Sequence, residues 1–483
     1  METEETATEI EDEYSKMNSG VNSREIIVNI LKTISAGEEY SHVMLRNVLE
    51  KYNYLDAKDK AFIKCVTEGC LERRIELDYI IDGFSKTPVK KMKPFIRELI
   101  RMSVYQILYM SRVPEAAAIN EAVKLAKSRG FTGLSGFVNG VLRSIAKEGR
   151  DYPLPEINKE PEKYLSVKYS MPEWIVGKLR KDYGKESAEA ILKGLLQIRP
   201  LTVRIQKGVS PDDKNMIIDR IKDKGIILKE HPYLEDAYCL SNVEGVANLP
   251  GFEEGLLAVQ DISSMLAVEA AGIGQGDKIL DVCAAPGGKT AYAAMLAGDK
   301  GIVVAGDVSE YKTSMIQENC ERLGLRNVSV VLRDATRRDD SYINKYDVVI
   351  ADVPCLGLGV VGRKKEIKYR IKESDIESIT SLQKKIVTEA VRCVKPGGIL
   401  LYSTCSVTYE ENIGMVRWME DELSKENGTG INAESMENIL PERFLMNLSS
   451  EDMEQVKKGY MQLLPGIHES DGFFFARMRV NNG

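Results

Sequence analysis

The 483-residue sequence predicts a multidomain protein: an all-helical N-terminal unit, a small α+β module, and a C-terminal α/β domain on a parallel, doubly wound sheet. Three observations carry this reading. The length calls for about three domains, because single cores rarely grow beyond about 300 residues. Before residue 150 apolar residues recur at helical spacing, with no β-rich run. From about Gly255 onward, short apolar strands alternate with single helices, the pattern of a sheet covered on both faces.

The elements follow in order. Residues 1–16 carry seven acids and one lysine, so 1–20 reads as a disordered acidic tail. In the helical unit, 21–150, the stripe Ile96, Leu99, Ile100, Val104, Ile107 and Leu108 buries one helix face. Val113, Pro114 and Glu115 interrupt it, and a new helix starts near Ala116. Prolines 153, 155 and 161 mark 151–161 as a linker, because each disfavours helix in the residue before it. The module 162–245 starts with helices to about residue 197. Leu201–Ile205 then alternates like a strand, Pro211–Lys224 reads as a helix, and Gly225–Leu228 as a strand.

In the last division, 246–483, strands are expected at 278–283, 301–306, 328–332, 348–351 and 398–403. Helices are expected at 290–297, 312–323 and 376–394. The stretches after Gln462 and Asp471 read as an antiparallel edge pair.

Composition narrows the function classes. With 43% hydrophobic and 29% charged residues the chain is globular, neither disordered throughout nor collagenous. No apolar run approaches the roughly 20 residues that cross a bilayer. The acidic start lacks the basic and apolar regions of a signal peptide, so a cytoplasmic protein without a membrane is expected. Eight cysteines without a C-x-x-C pair, and three histidines, point to free thiols and no metal site. The net charge of −7 excludes a basic coat, yet two basic groups stand out: Lys86 to Arg101, and Arg363 to Lys372.

Residues 278–290 run from a buried strand through a glycine turn into a helix, where doubly wound sheets bind ligands. Gly288, Lys289 and Thr290 match the end of a phosphate-binding P-loop, but its first glycine falls on Cys283. A G-x-G-x-x-G dinucleotide fingerprint is absent. S-adenosylmethionine, whose amino-acid end needs no phosphate nest, is the third reading. Asp307, Asp334 and Asp352 at three successive strand ends favour it, Asp307 suiting ribose hydroxyls and Asp334 the adenine side.

Cys355 follows the fourth strand of this sheet and Cys405 the fifth, so both are expected in one crevice. Carbon 5 of cytosine is a poor nucleophile until something adds to carbon 6. A thiolate can make that addition, leaving an enamine whose carbon 5 attacks an electrophilic methyl group.

The run Cys283, Ala284, Ala285, Pro286, Gly287, Gly288, Lys289, with Asp352-x-Pro-Cys355 and Ser403-Thr-Cys405-Ser, closely resembles the RNA cytosine-5 methyltransferases. Val353 and Leu356 depart from that pattern, where Ala and Ser are usual. Residues 113–127 and 137–143 resemble the NusB-type RNA-binding fold, and Arg204-Ile-Gln resembles, with divergence, an element of the family's middle module. NusB-type helices before such a catalytic domain are similar to the RsmB/Sun family of small-subunit ribosomal RNA methyltransferases, over about residues 21–479. The resemblance implies a Rossmann-like class I methyltransferase that methylates carbon 5 of a specific cytosine in 16S ribosomal RNA. It implies Cys405 as nucleophile, Cys355 as helper in release, and Lys289 and Asp352 at the base. Residues 283–289 with Asp307, Asp334 and Asp352 would hold S-adenosylmethionine. It also implies RNA binding by the N-terminal and middle modules; nothing in the sequence suggests an obligate oligomer, so a monomer is expected.

Overall fold

The computed structural model describes residues 22–243 and 245–482; the expected acidic tail lies outside them. The expected order of all-helical, α+β and α/β regions is the order observed. Packing divides the chain into two units. One holds the residues up to Lys181 together with Val361–Arg370, and the other holds Asp182–Val360 and Ile371 onward.

Seven helices lead the first unit: α1 (Ser23–Ala36), α2 (Ser41–Lys51), α3 (Ala57–Glu72), α4 (Arg74–Phe84), α5 (Pro94–Tyr109), α6 (Glu115–Ser128) and α7 (Ser135–Glu148). Local chemistry sets their ends. The Asn22 side chain caps the Arg24 and Glu25 amides, Asp56 caps Asp59, and α5 starts on Pro94. The predicted stripe of α5 is buried at Ile96, Leu99, Ile100, Val104 and Ile107. Each such side chain contributes about 1.5–3 kcal/mol relative to exposure. Gly69 on α3 leaves room for the Tyr105 ring, where any Cβ would collide. The proline-marked stretch after α7 is anchored: Tyr152 packs on Tyr79 and Phe84, and Tyr79 donates to the Pro153 carbonyl.

Residues 361–370 pack within this helical unit, with Arg363 and Lys364 left exposed. Glu366 is buried and accepts from Ser41 N at 2.9 Å and Ser41 Oγ at 2.7 Å. Lys368, also buried, donates to the Glu72 carbonyl, and Tyr369 to that of Leu71. Arg370 donates to the Glu39 carbonyl and lies over the Tyr40 ring, while Lys365 pairs with Glu68 and Glu72. In the first basic group Arg101 is likewise held, between Asp78 and Glu98.

The second unit carries two sheets. The smaller has order β2 (Ile227–Glu230), β3 (Ala237–Ser241), β1 (Leu201–Ile205), β4 (Leu257–Val259), all antiparallel. Helix α8 (Pro211–Asp223), capped by Ser210, buries Ile217 and Ile221 in a core with Val203, Ile205, Tyr238 and Leu240. Strands β3 and β4 were not expected, and β4 lies beyond residue 245.

The larger sheet has β5 (Lys278–Asp281), β6 (Ile302–Asp307), β7 (Val328–Leu332), β8 (Tyr346–Asp352), β9 (Val394–Thr404), β10 (Thr429–Ala433), β11 (Tyr460–Leu463) and β12 (Phe473–Asn482). The order is β10-β12-β9-β8-β5-β6-β7, with β11 paired to β12. Strands β5 to β9 are parallel, connected by α10 (Gly288–Ala297), α11 (Glu310–Arg322) and α12 (Asp375–Cys393); α9 (Ile262–Ala270) precedes β5. The order reverses between β5 and β8, so their carboxyl ends open a crevice. One expectation is corrected here. Strand β12 pairs with β11 but is no edge, because it runs antiparallel between β9 and β10 with Phe474 and Phe475 fully buried.

Candidate active site

Strand β5 ends at Asp281 and helix α10 begins at Gly288, so residues 282–287 form the connecting turn. Gly287 takes φ 99°, which disfavours a side chain and lets backbone come close to a ligand. Above the turn lies a cavity of about 200 Å³ whose wall includes Gln260, Ser264, Asp281, Cys283, Lys289 and Asp352. Lys289 Nζ donates to Asp352 Oδ2 at 2.8 Å and to Ser264 Oγ at 3.1 Å, and Ser403 Oγ donates to Asp352 Oδ1 at 2.7 Å.

Two polar groups on this wall have capacity to spare. Gln260 is 8% exposed, and neither its Oε1 nor its Nε2 has a protein partner. Asp281 is fully buried; Thr290 Oγ1 donates to its Oδ2 at 2.7 Å, while Oδ1 is unpartnered. Burial, with Asp352 adding to it, pushes the Asp281 carboxyl up to about 7. Unsatisfied buried groups are costly unless a ligand completes them. A carboxylate oxygen and a free carboxamide suit the ammonium and carboxylate of an amino acid, so the wall fits the amino-acid end of S-adenosylmethionine.

Asp307 and Asp334 have other partners. Asp307 accepts from Ala285 N at 3.1 Å and Val308 N at 2.7 Å, and pairs with Lys312 at 3.1 Å, so it shapes the turn. Asp334 accepts from Thr336 N and Oγ1, which hold its carboxyl below the usual range, and it pairs with Arg337. Burial, then the Asp281, Asp307 and Asp352 charges, pushes the Cys283 thiol well up.

The two cysteines meet. Asp352 on β8 is in register with Ser403 on β9, so the turns that follow carry Cys355 and Cys405 side by side, Sγ to Sγ 3.0 Å. The contact with Cys405, burial, and the Glu411 and Asp352 charges push the Cys355 thiol well above its usual range. Either sulfur can be the donor in this contact. Glu411, not singled out from the sequence, is buried and accepts from Leu356 N at 2.9 Å and from Ser406 Oγ. Asn412 beside it accepts from Thr404 Oγ1 at 2.6 Å and donates to the Ser406 carbonyl at 3.0 Å. Gln260, Ser264 and Asp281 were also missed. The one available signal was an acid, Asp281, inside an apolar strand.

Among the described residues no cluster of His, Cys, Asp and Glu could hold a metal ion, and no helix is long and apolar enough to cross a membrane.

Comparison with known proteins agrees with this architecture. The model of the 16S rRNA methyltransferase RsmB/F family matches residues 271–479, that of the NusB family residues 21–147, and that of an RsmF/B-like ferredoxin-like domain residues 171–246. The probable ribosomal RNA small subunit methyltransferase B of Bacillus subtilis is 34% identical over 459 residues, covering 94% of this chain and 98% of its own. The ribosomal RNA small subunit methyltransferase B of Escherichia coli O127:H6 is 32% identical over 424 residues, covering 87% and 90%. Among solved structures, PH0851 shares the fold with TM-score 0.76 at 22% identity, covering 95% of this chain and 99% of its own. NSun6 from Pyrococcus horikoshii, solved with SFG, shares it with TM-score 0.54 at 22% identity over 64% and 98%. With its three matched regions in this order and such relatives along nearly its whole length, the chain belongs to the ribosomal RNA small subunit methyltransferase B family, whose members use S-adenosylmethionine.

Proposed function

We propose that this protein methylates carbon 5 of a cytosine in small-subunit ribosomal RNA, with Cys405 as the nucleophile and Cys355 as the helper in release. The observation that carries the reading is the 3.0 Å pair of thiols on the turns after β8 and β9, the first of them three residues beyond Asp352, which pairs with Lys289 on the cavity wall. Bound S-adenosylmethionine supplies an electrophilic methyl group. Residues 283–289, Gln260, Asp281 and Asp307 hold or shape its site, with Asp334 toward the adenine side. Cys405 adds to carbon 6 of the base, which makes carbon 5 nucleophilic. Lys289 and Asp352 orient the ring, and the proton on Cys355 favours departure of the Cys405 sulfur once the base carries its new methyl group. The names of the curated relatives support the RNA class, and a ribosomal substrate supports a cytoplasmic enzyme, which we take to act as a monomer.

Purified protein incubated with labelled S-adenosylmethionine and either unmodified small-subunit RNA or duplex DNA tests the reading. Methyl transfer to RNA alone is expected. Cys405→Ala should abolish it while keeping cofactor binding, and Cys355→Ala should trap an SDS-stable RNA–protein adduct that the double variant lacks. Substantial turnover by Cys405→Ala would sink the nucleophile assignment, the reverse adduct pattern would exchange the roles, and labelled DNA would change the substrate class. No transfer to either would leave a binding factor on a methyltransferase scaffold.

A further inference from the structure

We infer that Glu411 is a positioning residue that holds the Cys355 turn against the Cys405 turn while the methylated base is released. The inference rests on the covalent reading above. Glu411 is fully buried, and its carboxylate takes hydrogen bonds from neutral donors on three segments. Leu356 N, directly after Cys355, donates to Oε1 at 2.9 Å. Ser406 Oγ, directly after Cys405, and Thr408 Oγ1, at 2.8 Å, donate to Oε2. From α12, Gln383 Nε2 donates to Oε1 at 3.2 Å and to the Pro354 carbonyl at 2.9 Å, so it braces the residue before Cys355 as well.

A buried anion with neutral donors only is a costly choice for a core, and packing alone does not require it. The geometry explains it. All four donors point their hydrogens at one side chain, and a carboxylate has four acceptor sites for them. A carboxamide would bring N–H groups to face N–H and O–H groups, and the two turns would part. The same negative charge helps keep the Cys355 sulfur protonated.

The step it serves is elimination across carbons 5 and 6 of the methylated base. The carbon 5 proton leaves to water, and its electron pair restores the carbon 5–carbon 6 double bond. The bond from carbon 6 to Cys405 breaks with its pair on sulfur. That sulfur takes the Cys355 proton, and water reprotonates Cys355. If the turns separate, this last transfer fails and the adduct persists.

The test uses the full chain, labelled S-adenosylmethionine and small-subunit RNA. Glu411→Gln should lower kcat about tenfold, less than the roughly 10²–10⁴-fold that a positioned proton donor contributes, because Cys355 itself is kept. The KM for S-adenosylmethionine should stay within about twofold, and SDS-stable adduct should accumulate between the levels of the unaltered protein and of Cys355→Ala. In the Cys355→Ala background it should add no further adduct, because the two act on one step. A kcat within about twofold of the unaltered protein, or a fall in kcat with no adduct at an unchanged melting temperature, would overturn the inference. Should Glu411→Gln not fold, Ser406→Ala removes one of the two bonds to Oε2 and must give the same pattern, more weakly, or the inference fails. Turnover by Cys405→Ala, by contrast, defeats the covalent reading whatever Glu411 does.

Discussion

Lys289, at the start of α10, reaches Asp352, at the end of β8, with Nζ 2.8 Å from Oδ2 and only 11% of the lysine side chain exposed. The same ammonium lies 4.8 Å from the centre of the Phe473 ring, so strand β12 helps to seat it. The Lys289 charge thus acts on two carboxylates: it pairs with Asp352, and the buried Asp281 carboxyl rises with the Asp352 charge and falls with the Lys289 charge.

Removing that charge should therefore do more than break a pair. Lys289→Met should cost about 1–2 kcal/mol of stability, less than a fully buried pair because Asp352 keeps contact with solvent. It should also reduce methyl transfer by at least about a hundredfold. Urea unfolding and single-turnover assays measure the two separately; unimpaired transfer would remove Lys289 from the site.

Gln260 offers a contrast between stability and binding. Its buried carboxamide lacks protein partners, so Gln260→Leu should stabilise the free protein by about 1 kcal/mol. If S-adenosylmethionine completes those bonds, the same change should weaken its binding about tenfold. Calorimetry that shows equal affinity for the two proteins would assign the amide to another ligand.

The pH dependence of Asp281 has a definite sign. In the folded protein its carboxyl keeps a proton up to about pH 7, whereas in the unfolded chain it ionises near pH 4. Between those values the folded state binds more protons, so its stability must fall as pH rises through that window. Asp281→Asn should abolish this decline, about 1–3 kcal/mol between pH 4 and 8 in denaturant titrations. Affinity for the cationic amino-acid end of the cofactor should rise from pH 6 to 8 in the unaltered protein but not in the variant.

The basic groups should separate into two behaviours. Lys86, Lys90, Lys91 and Lys93 are exposed, whereas Lys365 and Lys368 are held by α3. Neutralising the four exposed lysines should flatten the logarithmic salt dependence of RNA binding by up to about 3, at roughly 0.7 per phosphate. Lys365→Ala with Lys368→Ala should instead lower the melting temperature and leave that slope alone. An unchanged slope in the fourfold variant would mean that this face of the helical unit does not touch phosphate.

Much of the fold was legible because periodicity records burial. Strand β7 falls on the residues read from its pattern, and most other elements of that sheet shift by four residues or fewer at either end. The inner position of β12 also had a signal, since Phe473 to Ala476 is apolar without alternation, as in a strand covered on both faces. Strand β4, of three residues, is too short to show a period. In the candidate site, the cysteines and the glycine turn stand out because unusual residue types follow strands at fixed intervals. Gln260 and Glu411 do not, since a glutamine before a helix or a glutamate in a loop looks like ordinary solvated chain. Only their burial distinguishes them, and burial there is decided by residues far away in sequence.

Residues 361–370 show the same limit, a charged stretch whose Glu366 and Lys368 are nevertheless buried among helices that precede them by about 300 positions. The helical unit is consequently not a contiguous stretch of the gene. A fragment that ends after α7 would expose the Ser41 and Glu72 groups that this strand of chain covers, and a catalytic fragment would carry ten residues with no place to fold. Exchange of the N-terminal helices between relatives, by recombination or by the engineer, would have to carry this short insert along with it, through two further crossovers inside the catalytic sequence.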